Sequence, residues 1–204
     1  MNVLIACEES QITCCAFREK GHNAFSCDIK DCSGNHPEWH IKEDVLNIIN
    51  NGWDLIIAHP PCTYLSCASA CRMFPVKGQL DSNRYKKALA ARDFFLYIWN
   101  CNCEKICIEN PRPLKCVNLP PHSMDIQPYL FGDPWQKLTY LWLKNLPPLF
   151  PTDIRYDYKP YISCGTSRNK GNKDKAGFSR KGGAAIIRSK SFPGIAAAMA
   201  EQWG

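Results

Sequence analysis

No run of the 204-residue chain approaches the ~18 consecutive apolar residues that a membrane-crossing helix needs. No charged leader followed by an apolar segment opens it either, so the expectation is a soluble, cytoplasmic protein without a membrane partner. There is no internal repeat, which leaves no periodic architecture to consider. Glycine is missing from "ACEESQIT" (6–13), where many nucleotide-binding folds place several. Acids are almost missing from residues 168–190, where Asp174 alone stands against Arg168, Lys170, Lys173, Lys175, Arg180, Lys181, Arg188 and Lys190. That segment is +7 within a chain of net charge +6, so the remainder sums to −1. The chain is therefore not generally basic. It carries one basic strip, rich in Gly, Ser and Asn, which suits phosphates and equally suits a solvated loop.

Cysteine, by contrast, is abundant: there are 13. The odd count and the absence of an export signal favour reduced thiols over a disulfide framework. Neither Cys101, Cys103, Cys107 and Cys116 nor Cys62, Cys67 and Cys71 show paired C-x2-4-C halves, so no metal site is expected. Cys103 and Cys107 are expected on one face of a strand. With 45% hydrophobic residues the chain can bury one good core. The organisation expected is one domain over 1–204, with the basic segment at about 163–190 and a terminal helix at about 193–203.

Short apolar runs alternate with helical patterns in the first half, as in βαβ units. "VLIA" (3–6), "NAFSCD" (23–28), "DLIIA" (54–58), "KICI" (105–108) and "TYLWL" (139–143) read as strands. A helix is expected from Ser10, as N-cap, to Gly21, and a longer one over 82–99. A short helix is expected around Val45, Ile48 and Ile49. The fold class is α/β, a mostly parallel doubly wound sheet. In such sheets ligands bind beyond the carboxyl ends of the strands. Three of those ends carry useful groups: "CEES" after the first strand, "HPPC" after the 54–58 strand and "IENP" from the 105–108 strand.

These residues resemble the C5-type DNA cytosine methyltransferases, in particular short prophage-like members without a full target-recognition domain. "PPCTYLS" (60–66) is similar to that family's nucleophile motif, "ENP" (109–111) to its Glu-Asn-Val motif, and "FGDPWQKLTYLWL" (131–143) to the arginine motif before a strand. "VLIACEES", Asp28 and Asp44 occupy the places where the family binds S-adenosylmethionine. The resemblance implies the S-adenosylmethionine-dependent methyltransferase fold and methylation of cytosine C5 in DNA. It implies Cys62 as the nucleophile that adds to C6 and Glu109 as the acid at N3. Pro61 would stiffen the thiol's loop, and Asn110 would shape the turn beside the acid. Ala6, Glu8, Ser10, Asp28, Asp44 and Pro60 would face the cofactor. Ser66, Lys137 and Thr139 would face the substrate, and Lys170 and Lys173 its phosphates. A raised Glu109 pKa, produced by a dry pocket, is expected to keep the acid protonated.

Departures from the family pattern leave two other readings open. The first loop has no glycine, Thr139 stands for an arginine, and only about 50 residues separate "TYLWL" from the terminal helix. A nucleic-acid-binding pseudoenzyme and an enzyme acting on a free pyrimidine nucleotide both fit, as does a single-stranded target. His59 reads as a loop residue with a satisfied ring. The setting implied is the cytoplasm of a bacterium or a phage-infected host.

Overall fold

A strand buried on both faces is apolar at every position, and "LIIA" shows the consequence: all four side chains of β4 (Leu55–Ala58) are buried. In the computed structural model, which describes residues 1–161 and 190–204, β4 lies at the centre of a seven-stranded sheet. Its other strands are β1 (Asn2–Ala6), β2 (Asn23–Asp28), β3 (His40–Lys42), β5 (Lys105–Asn110), β6 (Met124–Ile126) and β8 (Thr139–Lys144). A separate two-stranded piece pairs β7 (Trp135–Gln136) with β9 (Lys159–Pro160).

The spatial order is β3-β2-β1-β4-β5-β8-β6. Five strands, β3 to β5, run parallel, while β8 is antiparallel to both β5 and β6. This is a doubly wound, Rossmann-like arrangement, and its strand order reverses between β1 and β4. Because β8 is reversed, its first residue, Thr139, comes to the rim where the parallel strands end.

Alternation within each strand divides the core between two faces. Leu4, Ala6, Ile56, Ala58, Ile106 and Ile108 meet α3 (Ser82–Trp99) through Ala88, Phe95 and Ile98. Val3, Ile5, Leu55, Ile57 and Cys107 meet α1 (Ile12–Glu19) and the terminal helix α4 (Pro193–Trp203). Each buried Leu, Ile or Phe contributes about 1.5–3 kcal/mol. Phe95 adds an edge-on contact with Trp142 at 5.1 Å between centroids. A further helix among the described residues, α2 (Ala70–Met73), is a single turn after the loop that carries Cys62.

Several expectations need correction. The N-cap of α1 is Gln11, not Ser10, and it has a left-handed backbone. The short helix near Val45 is a 3-10 turn capped by Asp44. Cys103 and Cys107 face opposite sides of the sheet, because Cys103 precedes the strand and the alternation begins only at Lys105. The cysteines among the described residues are free thiols. Among the same residues, no helix is long and apolar enough to cross a membrane. Lys170 and Lys173, with residues 163–189 of the basic segment, lie outside the described residues.

Candidate active site

Register brings the central pair together. Ala58 of β4 is paired with Ile108 of β5, so the next residues, His59 and Glu109, stand side by side at the rim. The His59 backbone N–H donates to the Ala6 carbonyl at 2.9 Å, which ties its ring to the end of β1 as well. His59 Nδ1 lies 3.1 Å from Glu109 Oε2, with side chains 10% and 22% exposed. Beyond them is a cavity of about 20 Å³, room for about one water. Thr13, His59, Glu109, Lys137, Thr139 and the Lys190–Phe192 lead into α4 line it, with Ile195 and Met199 behind.

Electrostatics follow from this crowding. Burial pushes the Glu109 carboxyl upward, but the His59 hydrogen bond and the Lys137 ammonium outweigh it and hold the group below its ordinary value. Burial disfavours a charged His59, yet Glu109 and then Glu8 hold the ring above its ordinary value. The expected raised Glu109 pKa is thus reversed. A dry pocket alone would have raised it; the cation beside it decides the sign.

A stability prediction follows. Glu109, with its folded value depressed below 4.5, stabilises the fold above its unfolded pKa, and that contribution is lost as pH falls through the folded value. His59, raised above 6.5, contributes below its unfolded pKa and loses this as pH rises through its folded value. Glu109→Gln is therefore expected to cost about 2 kcal/mol between those limits. Urea unfolding should show the gap narrowing on both sides, and a pH-independent gap would deny the ion pair.

The thiol's loop is fastened to the acid's strand. Asn110, buried, donates Nδ2 to the Pro60 carbonyl at 2.8 Å, and its Oδ1 has no hydrogen-bond partner among the described residues. Leu114 N donates to the Leu65 carbonyl at 2.7 Å, and Cys67 N to the Arg112 carbonyl at 2.9 Å. From the other side, Arg84 of α3 donates to the Thr63 carbonyl at 2.9 Å and lies over the Tyr64 ring. Within the loop, Pro60 is buried, Pro61 exposed and Cys62 half-buried. Ser66, buried, bridges to Pro113 and is not among the residues lining the cavity.

At the rim beyond β2 and β3, Asp28 Oδ1 accepts from Lys30 N and Asp44 Oδ1 from Leu46 N. Neither Oδ2 makes a hydrogen bond among the described residues. Burial, followed by the charges of Asp28, Cys27 and Asp44, drives the Cys7 thiol well up, so these groups lie near one another beside the end of β1. In place of glycines, Cys7 and Gln11 each take a φ of 60°. Such backbone costs about 1–3 kcal/mol in a residue with a side chain and persists where the surroundings enforce it. Here Gln11 Nε2 donates to the His36 carbonyl at 2.7 Å and Oε1 accepts from His36 N at 3.0 Å. Gly34 is required opposite, since a Cβ there would lie 2.4 Å from Gln11 Oε1.

Glu8 turns inward, away from the role expected of it. Its buried carboxylate accepts from Thr13 N at 2.8 Å and Cys14 N at 3.1 Å, satisfying the orphan donors of α1. Ala6 is fully buried, and Ser10 is half-buried. Of the residues expected at the substrate, Glu109, Lys137 and Thr139 meet in one cavity. Sequence reasoning missed His59, Thr13 and the lead into α4. For His59 the usable signal was its position immediately before "PPC", one residue past a strand.

No protein-family profile matches the chain, and no curated protein matches it. Among solved structures it is similar to a putative DNA modification methyltransferase encoded within a prophage, from E. coli. The identity is 17% and the TM-score 0.48, covering 76% of this chain and 52% of that one. It is also similar to DNMT2 of Spodoptera frugiperda, at 16% identity and a TM-score of 0.37, covering 79% of this chain and 55% of that one. The chain thus spans about half the length of each.

Proposed function

We propose that this chain methylates carbon 5 of cytosine in DNA, with Cys62 as nucleophile and Glu109 serving N3. The observation that carries the reading is the fastening of the Cys62 loop, through Asn110 and Pro60, to the strand that presents Glu109 to a cavity shared with Lys137 and Thr139. Carbon 5 of cytosine is a poor nucleophile. Thiolate addition at C6 turns C5 into an enamine carbon, and protonation at N3 relieves the charge that addition pushes into the ring.

The residues beside β1 fit a nucleoside-bearing cofactor: two carboxylates, each with one oxygen that makes no hydrogen bond among the described residues, suit hydroxyl and amino donors. Asp28 and Asp44 would hold S-adenosylmethionine there, with Pro60 and Ser10 beside it. When bound, that group supplies an electrophilic methyl on a sulfonium. The residues around the cavity do the rest: Glu109 and Lys137 would meet the polar edge of a ring that opens the site on entry, and the lead into α4 would exclude water.

The test uses S-adenosylmethionine labelled in its methyl group with cytosine-containing single-stranded DNA, duplex DNA and free dCMP, followed by nucleoside analysis. Labelled 5-methylcytosine from a DNA arm is the expected result. Glu109→Gln should slow its formation by about 10²–10⁴-fold while cofactor affinity stays within a few-fold. Label in the dCMP arm alone would move the substrate to free nucleotides. Cofactor and DNA binding without label in any arm would make the chain a pseudoenzyme.

A further inference from the structure

The acid that protonates N3 must hold a proton, yet Glu109 is paired with a base that takes it. His59 Nδ1 and Glu109 Oε2 share one hydrogen bond of 3.1 Å. The backbone N–H of His59 is tied to the Ala6 carbonyl, and the far ring nitrogen, Nε2, lies 3.5 Å from Ser191 Oγ in the lead into α4. The groups facing this pair come from every surrounding element. Glu8 acts from the β1–α1 loop and Lys137 from the approach to β8. Lys190 lines the same cavity, and Cys107 lies below on β5. One proton is thus held between two side chains that both line the cavity.

We propose that His59 is the proton reservoir of this site, a positioning residue that acts through Glu109; the inference rests on the methyl-transfer reading above. As the Cys62 thiolate forms its bond to C6, the C5=C6 electron pair moves into C4=C5 and the C4=N3 pair moves onto N3. N3 takes a proton from Glu109, and Glu109 takes the Nδ1 proton of His59. The thiolate's negative charge and the imidazolium's positive charge are consumed together, leaving a neutral adduct beside a neutral imidazole. When the thiolate leaves again, N3 returns the proton to the pair. No other donor is needed. The arrangement also explains a carboxyl group held below its ordinary pKa at a position where a proton donor is required: the pair, not the carboxyl alone, is the acid.

Two measurements on the full chain test this. In the first, the His59 ring is titrated by NMR in the wild type and in Glu109→Gln; its midpoint should fall in the variant, and an unchanged midpoint would overturn the pairing. In the second, the rate of adduct formation with a 5-fluorocytosine oligonucleotide and S-adenosylmethionine is followed against pH. The wild-type rate should fall as pH rises through the His59 midpoint. His59→Asn, which can still donate a hydrogen bond to Glu109 but carries no transferable proton, should lose that limb and be slower by about 10²-fold, with cofactor affinity within a few-fold of the wild type. A near-wild-type rate with the alkaline limb intact in His59→Asn would overturn the reservoir and leave methyl transfer standing. No adduct from the wild type at any pH would overturn both.

Discussion

Cys62→Ala is expected to leave a folded chain that transfers no methyl group. The turn around this residue is made by its backbone, since the Cys62 carbonyl accepts from Leu65 N at 3.1 Å and Ser66 N at 3.0 Å. The loop's other backbone ties run through Pro60, Thr63 and Leu65. With these backbone ties kept, trimming the half-buried thiol to a methyl should cost about 1 kcal/mol, and the melting temperature should move by only a few degrees. Catalysis has no such reserve. Losing a covalent nucleophile costs on the order of 10⁶ in rate, which puts turnover below detection in a labelled-methyl assay. Residual transfer within tenfold of the wild type, in a variant with a normal melting curve, would remove Cys62 from the chemistry.

Gly194→Ala is expected to be the most damaging glycine-to-alanine change among the described residues. Gly194 opens α4 immediately after Pro193, and its backbone N donates to Asp133 Oδ2 at 3.0 Å. A Cβ there would lie 1.7 Å from the Phe131 carbonyl oxygen and 2.7 Å from its carbon. Those are backbone atoms that cannot rotate aside, so the first turn of α4 must lift from the "FGDP" turn. Overpacking of this kind costs about 3 kcal/mol, or roughly 10 °C in melting temperature for a chain of this size. The same lift moves Ser191 and Phe192 off the cavity, so substrate handling should suffer with stability. Gly21→Ala is the control. It has a φ of +83° but nothing within 4 Å of the added carbon, so backbone strain alone should cost about 1 kcal/mol. Equal effects at the two positions would show that the contact with Phe131 is not what holds α4.

What could be read in advance follows from signal length. β1, β2, β4, β5 and β8 are runs of four to six residues with buried, β-favouring side chains, and each was visible. β3 and β6 are three residues long, too short for any period to declare itself, and they sit at the two edges of the sheet. The reversed direction of β8 is a property of pairing, not of "TYLWL", yet it brings Lys137 and Thr139 to the rim. Cys62 and Glu109 were legible as motifs. His59 was not, because its meaning lies in the alignment of β4 with β5, and a single imidazole before two prolines looks like an ordinary loop residue. Ser10 misled for a related reason: capping preference favours serine, but the hydrogen bonds between Gln11 and His36 shift the start of the helix by one residue. Glu8 shows the limit most plainly, since an acid at a strand end reads as a ligand group until its carboxylate is found on the backbone of α1.

The central claim is a bond between one sulfur and one ring carbon. A 5-fluorocytosine oligonucleotide, incubated with the chain and S-adenosylmethionine, denatured and analysed by mass spectrometry, tests it most directly, because fluorine at C5 blocks the proton loss that would release the enzyme. The expected result is a denaturation-stable complex of one chain and one oligonucleotide, carrying one added methyl group, with the adduct mapped to the peptide containing Cys62. A complex that maps to another cysteine, or that forms equally in Cys62→Ala, would contradict it.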